Sequence, residues 1–237
     1  MKKFLAVILI LAAVIAVASE IILPSVVTNI LKEQIVKATH AQEVQLSLTS
    51  SPNAKIILGN VDKIYSTASN TEIGGVNFEA LTLDAEKVSV DVMEIISPTP
   101  NLNDSQRADK ILKSAGKIEL SGIITEDGLK NFIENKVDQL DNAQIKITEN
   151  EASASGEIKF LGRTADVDIA GNFFLDDGNI YFKATRLDVR NTLVRNVQID
   201  RYLGDVKILE SSQLPIGLKF SSVQMRNGDI LITATRE

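Results

Sequence analysis

His40 is the single histidine of the chain and the one side chain whose ordinary pKa suits it to general base work near neutral pH. A hydrolytic histidine needs a nucleophile held beside it, and no G-x-S-x-G elbow occurs in this sequence. Serines and lysines are frequent, but their spacing does not single out a Ser–Lys pair. Asp176-Asp177-Gly178-Asn179 gathers carboxylates in the manner of a calcium loop. The alternating acidic ligands and the later glutamate of an EF-hand are missing, however, and a hairpin turn explains the same residues. Gly74-Gly75 has neither the lysine nor the following helix of a phosphate loop. Cysteine is absent, which excludes disulfides, thiolate metal sites and a cysteine nucleophile. One histidine also cannot supply the two or three imidazoles of the common zinc sites. The residues therefore predict no catalytic group, no metal and no cofactor.

Charge and composition narrow the partners. The formal charge is −6, whereas a nucleic-acid binder needs a Lys/Arg surface to displace counterions. Tryptophan is absent and aromatic residues are 5% of the chain, too few for base-stacking platforms. Apolar residues at 44% and charged residues at 24% describe a chain that folds around a core. The clusters Glu149 to Glu151 and Arg186 to Arg195 read as solvated faces.

The strongest local signal is N-terminal. Lys2 and Lys3 precede fifteen consecutive apolar residues from Phe4 to Ala18, including Leu5, Val7, Ile8, Leu9, Ile10, Leu11, Val14 and Ile15. Fifteen helical residues span about 22 Å, short of a ~30 Å hydrocarbon core unless the segment continues through Leu23. Ala16-Val17-Ala18 has the small-x-small form of a signal-peptidase site. Residues 1–20 are thus expected to be a signal peptide or a membrane anchor. Both alternatives place the body at the outer face of the cytoplasmic membrane.

Downstream, residues 21–237 are expected to form a single domain. Pro24 to Ala41 has helical spacing, with Val27, Ile30, Leu31 and Ile35 on its apolar side. A second helix is expected over Glu126 to Leu140, capped by Thr125, with Leu129, Phe132, Ile133, Val137 and Leu140 as its stripe. Elsewhere the period is two: Val44, Leu46, Leu48; Val76, Phe78; Val88, Val90, Val92; Ile118, Leu120; and, further on, Ala152, Ala154, Gly156, Ile158. Asp177-Gly178 and Asn227-Gly228 predict two type I′ hairpins. Ser97 to Arg107 is polar and proline-bearing, the best candidate for a mobile loop. These elements predict an α+β fold. Two moderate helices must cover many one-sided strands, so the interior either closes and packs or leaves an apolar groove.

The ordered patterns over residues 21–237 resemble the bacterial LmeA-like phospholipid-binding family. They include Val44 to Leu48 followed by Ser51-Pro52, then Leu58-Gly59-Asn60-Val61-Asp62, and Val76 to Val92. Ile123 to Leu129 and Leu214 to Leu218 complete the series. Asn60 stands where that family often carries arginine, and Ser97 to Arg107 resembles a local insertion. The resemblance implies export, phospholipid as partner, and a long, strongly curved antiparallel sheet wrapped around a long helix. It implies non-catalytic binding or transfer of phospholipid; the other expectation is a closed accessory envelope protein acting through protein partners. A groove between the first helix and the first strands would be lined by Val27, Ile30, Leu31, Ile35, Leu46, Leu48, Val88 and Val90.

The topology is directly testable. Protease added to cells whose outer barrier has been opened should digest the body, and its complete protection would refute export. An N-terminus at Ser19 means a cleaved signal, whereas an intact Met1-Lys2 means an anchor.

Overall fold

In the computed structural model, the described residues are 42–51, 55, 58–91, 93–94, 99–101, 104–136, 140–160, 163–190, 205–214 and 216–236. The expected segment at 1–20 and the expected helix from Pro24 to Ala41 lie outside them, with His40. No described helix is long and apolar enough to cross a membrane.

Two antiparallel sheets carry the structure. The first contains β1 (Glu43–Thr49), β2 (Asn60–Ile73), β3 (Val76–Val90), the short β4 (Leu112–Ser114), β5 (Lys117–Thr125), β11 (Lys219–Arg226) and β12 (Asp229–Thr235). Its order is β1-β2-β3-β5-β12-β11, with β4 on the end of β3. The second runs β10-β9-β8-β7-β6, built from β6 (Leu140–Ile147), β7 (Ala152–Phe160), β8 (Arg163–Asp176), β9 (Asn179–Arg190) and β10 (Val206–Leu209). Two helices are described in full: α1 (Asp104–Ile111) and α2 (Glu126–Lys136). A 3₁₀ turn, Ser211–Gln213, precedes the return to the first sheet.

The expected single curved sheet around a long helix is therefore incorrect. The described residues are mainly β, and α2, at eleven residues, is the longer of the two helices. The reason is visible at Thr125. There the chain leaves β5 for α2 instead of a hairpin, so the next five strands pair only with one another, and β12 later closes the first sheet against β5.

Local chemistry explains most boundaries. β2 and β3 are 14 and 15 residues long and joined at Gly74-Gly75, both at positive φ (64° and 86°), as a two-residue primed turn requires. Asp177 and Gly178 are likewise at 45° and 71° between β8 and β9. At Asn227-Gly228 only the glycine has positive φ, so the expected type I′ geometry is not what joins β11 to β12. Asp176 to Asn179 forms the β8–β9 turn, and the Asn179 carboxamide oxygen accepts from the Ser211 amide at 3.0 Å. Within the stretch from Ser97 to Arg107, Asp104 to Arg107 open α1.

α2 begins where expected. Thr125 Oγ1 accepts from the Gly128 amide at 3.2 Å, capping an otherwise unpaired donor. Gly128 lies so close to β3 that a Cβ would sit 2.5 Å from the Asn77 carbonyl oxygen. Glu126 accepts from the Ile147 amide at 2.8 Å and pairs with Lys146 at 3.4 Å, tying the same end of α2 to β6. Leu140, expected as the end of the helical stripe, instead opens β6.

Phe78, Leu81, Leu83, Val88 and Val90 of β3 are buried in one core with Ile118, Leu120 and Ile124 of β5 and Ile230 and Ile232 of β12. That core continues into the near end of the second sheet through Ile147, Ala152, Ile180 and Leu209. The Phe220 amide bonds to the Gly178 carbonyl at 3.2 Å and the Gly228 amide to the Ile147 carbonyl at 3.0 Å, joining the sheets at that end.

Two predictions follow from this packing and from one ionised knot. Val90 is 1% exposed, so Val90→Trp should overpack the core and cost roughly 1–3 kcal/mol, read as a melting temperature several degrees lower. Glu94 accepts from the Thr99 amide at 2.7 Å and hydroxyl at 2.8 Å and pairs with Lys110 at 3.4 Å. The Thr99 amide above all, then the Thr99 hydroxyl and Lys110, hold its carboxyl below the usual 4.5 against an opposing desolvation effect. A depressed carboxylate stabilises fully above its unfolded value and less as pH falls through its folded one. The stability difference between the parent and Glu94→Gln should thus shrink below pH 4.5; a constant difference down to pH 2 would contradict it.

Candidate apolar groove

The second sheet starts inside the core and runs out of it. On β7, Ala152 is buried, while Ala154, Gly156 and Ile158 on the same face are half-exposed. On β9, Ile180 is fully buried and Phe182, two residues on, is half-exposed. The alternation that built the strands thus continues past the point where the first sheet stops covering them.

A groove of about 520 Å³ lies over this stretch. Its size falls within the ~300–1,000 Å³ typical of small-molecule sites. The floor is β7, where Ala152, Ala154 and Gly156 present almost no side chain. One wall comes from α2, through Leu129, Phe132 and Ile133, with Leu140 beside it. The other comes from Val167, Ile169 and Phe173 of β8, Phe182 and Leu187 of β9, and Val206 and Ile208 of β10. Phe173 and Phe182 are cross-strand partners with ring centroids 5.2 Å apart, tilted by 60°, which stiffens that wall. A Cβ at Gly156 would lie 2.6 Å from Leu140 Cδ1, so a larger residue there would push the Leu140 side chain aside.

The chemistry of this surface is narrow. Its polar lining is Ser153 and Ser155, and its charged lining is Lys136 and Lys207. Among the described residues its lining holds no carboxylate and no histidine, and it offers hydrocarbon a place out of water.

A second depression, about 630 Å³, is larger and polar, lined in part by Gln144, Lys146, Asp168, Arg186, Asp188 and Arg190. Its charges are satisfied among neighbours. Arg190 pairs with Asp168, Arg186 with Glu151 at 3.5 Å and with Asp188 at 3.8 Å, and Lys146 with Glu126 at 3.4 Å. The reading of Arg186 and its neighbours as a solvated face fits this arrangement. Among the described residues, no group of three or more His, Asp or Glu is placed to hold a metal ion.

The residues expected to line a groove fall elsewhere. Val88 and Val90 are buried in the core of the first sheet, and Leu46 and Leu48 of β1 pack partly buried against it. None of these four borders the apolar groove. Val27, Ile30, Leu31 and Ile35 lie outside the described residues. The groove residues were legible as strand positions but not as a site. The available signal was the run Ala152-Ser-Ala-Ser-Gly156, whose inward positions are too small to fill a sheet face.

No curated protein and no solved structure matches the chain. A family model does, over residues 18–235, nearly the whole sequence. By that match the chain belongs to the LmeA-like phospholipid-binding family.

Proposed function

We propose that this protein binds phospholipid without chemistry, holding acyl chain in the groove between α2 and the second sheet. It does so at the outer face of the cytoplasmic membrane, where the N-terminal apolar segment would deliver or retain it. The observation that carries this reading is the continuation of the apolar sheet face beyond the core as an open groove of about 520 Å³.

Energetics define what such a groove does. Removing a chain from water contributes about 0.8 kcal/mol per buried CH₂. A chain drawn from a bilayer gives up nearly the same amount, so the two terms almost cancel. The groove therefore lowers the cost of having a lipid outside the membrane and leaves exchange with the bilayer near balance. That suits carriage or presentation of lipid better than irreversible capture.

Detergent-free purification followed by lipid extraction and mass spectrometry should recover phospholipid from the parent. Ala154→Trp and Ile169→Trp place an indole in open groove volume, not in packed core. Each should reduce recovered lipid several-fold and slow transfer between vesicles, while the melting temperature stays within a few degrees of the parent. Loss of stability without loss of lipid would mean that the groove is a poorly covered part of the core. A parent free of lipid would favour an accessory envelope role through protein partners.

A further inference from the structure

The groove is apolar along its length, yet the two charged residues that line it carry the same sign. Lys136 ends α2, just before edge strand β6, and Lys207 lies on β10, the opposite edge of the sheet. Lys136 Nζ sits 5.9 Å from the centroid of Phe132, itself a groove residue, and Lys207 Nζ sits 5.8 Å from that of Tyr181. Ring contact orients each ammonium without neutralising it. Lys207 shares its charge with Glu210 at 3.5 Å, whereas Lys136 has no carboxylate partner among the described residues. In a chain of net charge −6, a groove whose charged lining is two lysines, one of them paired with Glu210, runs against the general field.

Building on the lipid-binding reading above, we infer that the groove selects phospholipids with a net negative head group. Lys136 meets the phosphate, and Lys207, toward the opposite edge, adds to the positive charge of the lining. A zwitterionic head group brings its own ammonium to a rim that already holds two, and part of the gain from its phosphate is cancelled. An anionic head group brings no such charge. The acyl chain supplies most of the burial, and the lysines supply the preference. The overall negative charge of the protein opposes approach to an anionic bilayer, so a preference for anionic lipid would come from the rim and not from long-range steering.

The test is competitive loading of the full-length protein. Vesicles holding equal amounts of phosphatidylglycerol and phosphatidylcholine, each traceable by its acyl chains, are incubated with protein and removed, and the protein-bound lipids are counted. The parent should load about fivefold more phosphatidylglycerol, as expected for one or two partly exposed ion pairs. The double variant Lys136→Gln/Lys207→Gln should bring the ratio near one by lowering phosphatidylglycerol loading toward that of phosphatidylcholine. Lys136→Arg should keep it, and Lys63→Gln on β2 should leave it alone. Inorganic phosphate, compared with chloride at equal ionic strength, should not displace the lipid; displacement would mark a site for free phosphate. A parent ratio near one, or a double variant that keeps the parent's ratio, overturns the selectivity while leaving lipid binding intact. A parent that loads neither lipid overturns the functional reading itself.

Discussion

Ala152, Ala154 and Gly156 leave a stretch of β7, next to the edge of the five-stranded sheet, with nothing larger than a methyl group on its groove side. Protein interiors reach crystal-like density only when side chains from both sides fill the space between elements. The rest of this molecule depends on that shortfall. α2 is about 16 Å long, whereas β8 runs about 46 Å. Packed against β6, β3 and β5, the helix is too short to follow the second sheet along its length. Leu129 and Phe132 become a wall instead of a lid.

The two sheets divide the work. In the first, β3 and its neighbours present Phe78, Leu81, Leu83 and Val88 to a close-packed interior. That core anchors α2 through the contact of Gly128 with Asn77 and the cap from Thr125. In the second, the same alternation of apolar and polar residues continues with no comparable cover among the described residues. The buried core lies at one end and the open groove at the other, and the shared residues Ile147, Ile180 and Leu209 keep the second sheet fixed to the first. A binding surface held this way is preformed, and its apolar exposure is tolerated because the buried core at the near end compensates.

Much of this arrangement could be read from the sequence, and the failures have identifiable causes. Thr125 before Glu126-Asp127 announced a helix, and Asp177-Gly178 announced a hairpin, because capping and positive φ are properties of a few adjacent residues. β2 was missed, since Ser66 and Thr71 occupy inward positions and erase the alternation that marks a strand. The curved sheet around a helix was wrong because strand periodicity says which face is apolar but not where pairing stops. Pairing stops at α2, a consequence of tertiary packing. The groove was expected against the first helix and β1 for the same reason. The groove proposed here has as its floor a run of small residues whose meaning depends on how little stands opposite them among the described residues.

The central claim is that hydrocarbon occupies the space above Ala154 and Gly156. A phospholipid carrying a diazirine near the end of one acyl chain reports this most directly, because light links it to whatever side chain touches the tail. After loading, irradiation and peptide mass spectrometry, links should concentrate on Ile133, Ile169, Phe173 and Phe182. Links confined to β1 to β3, or scattered over the polar depression around Arg186 and Asp188, would contradict the account.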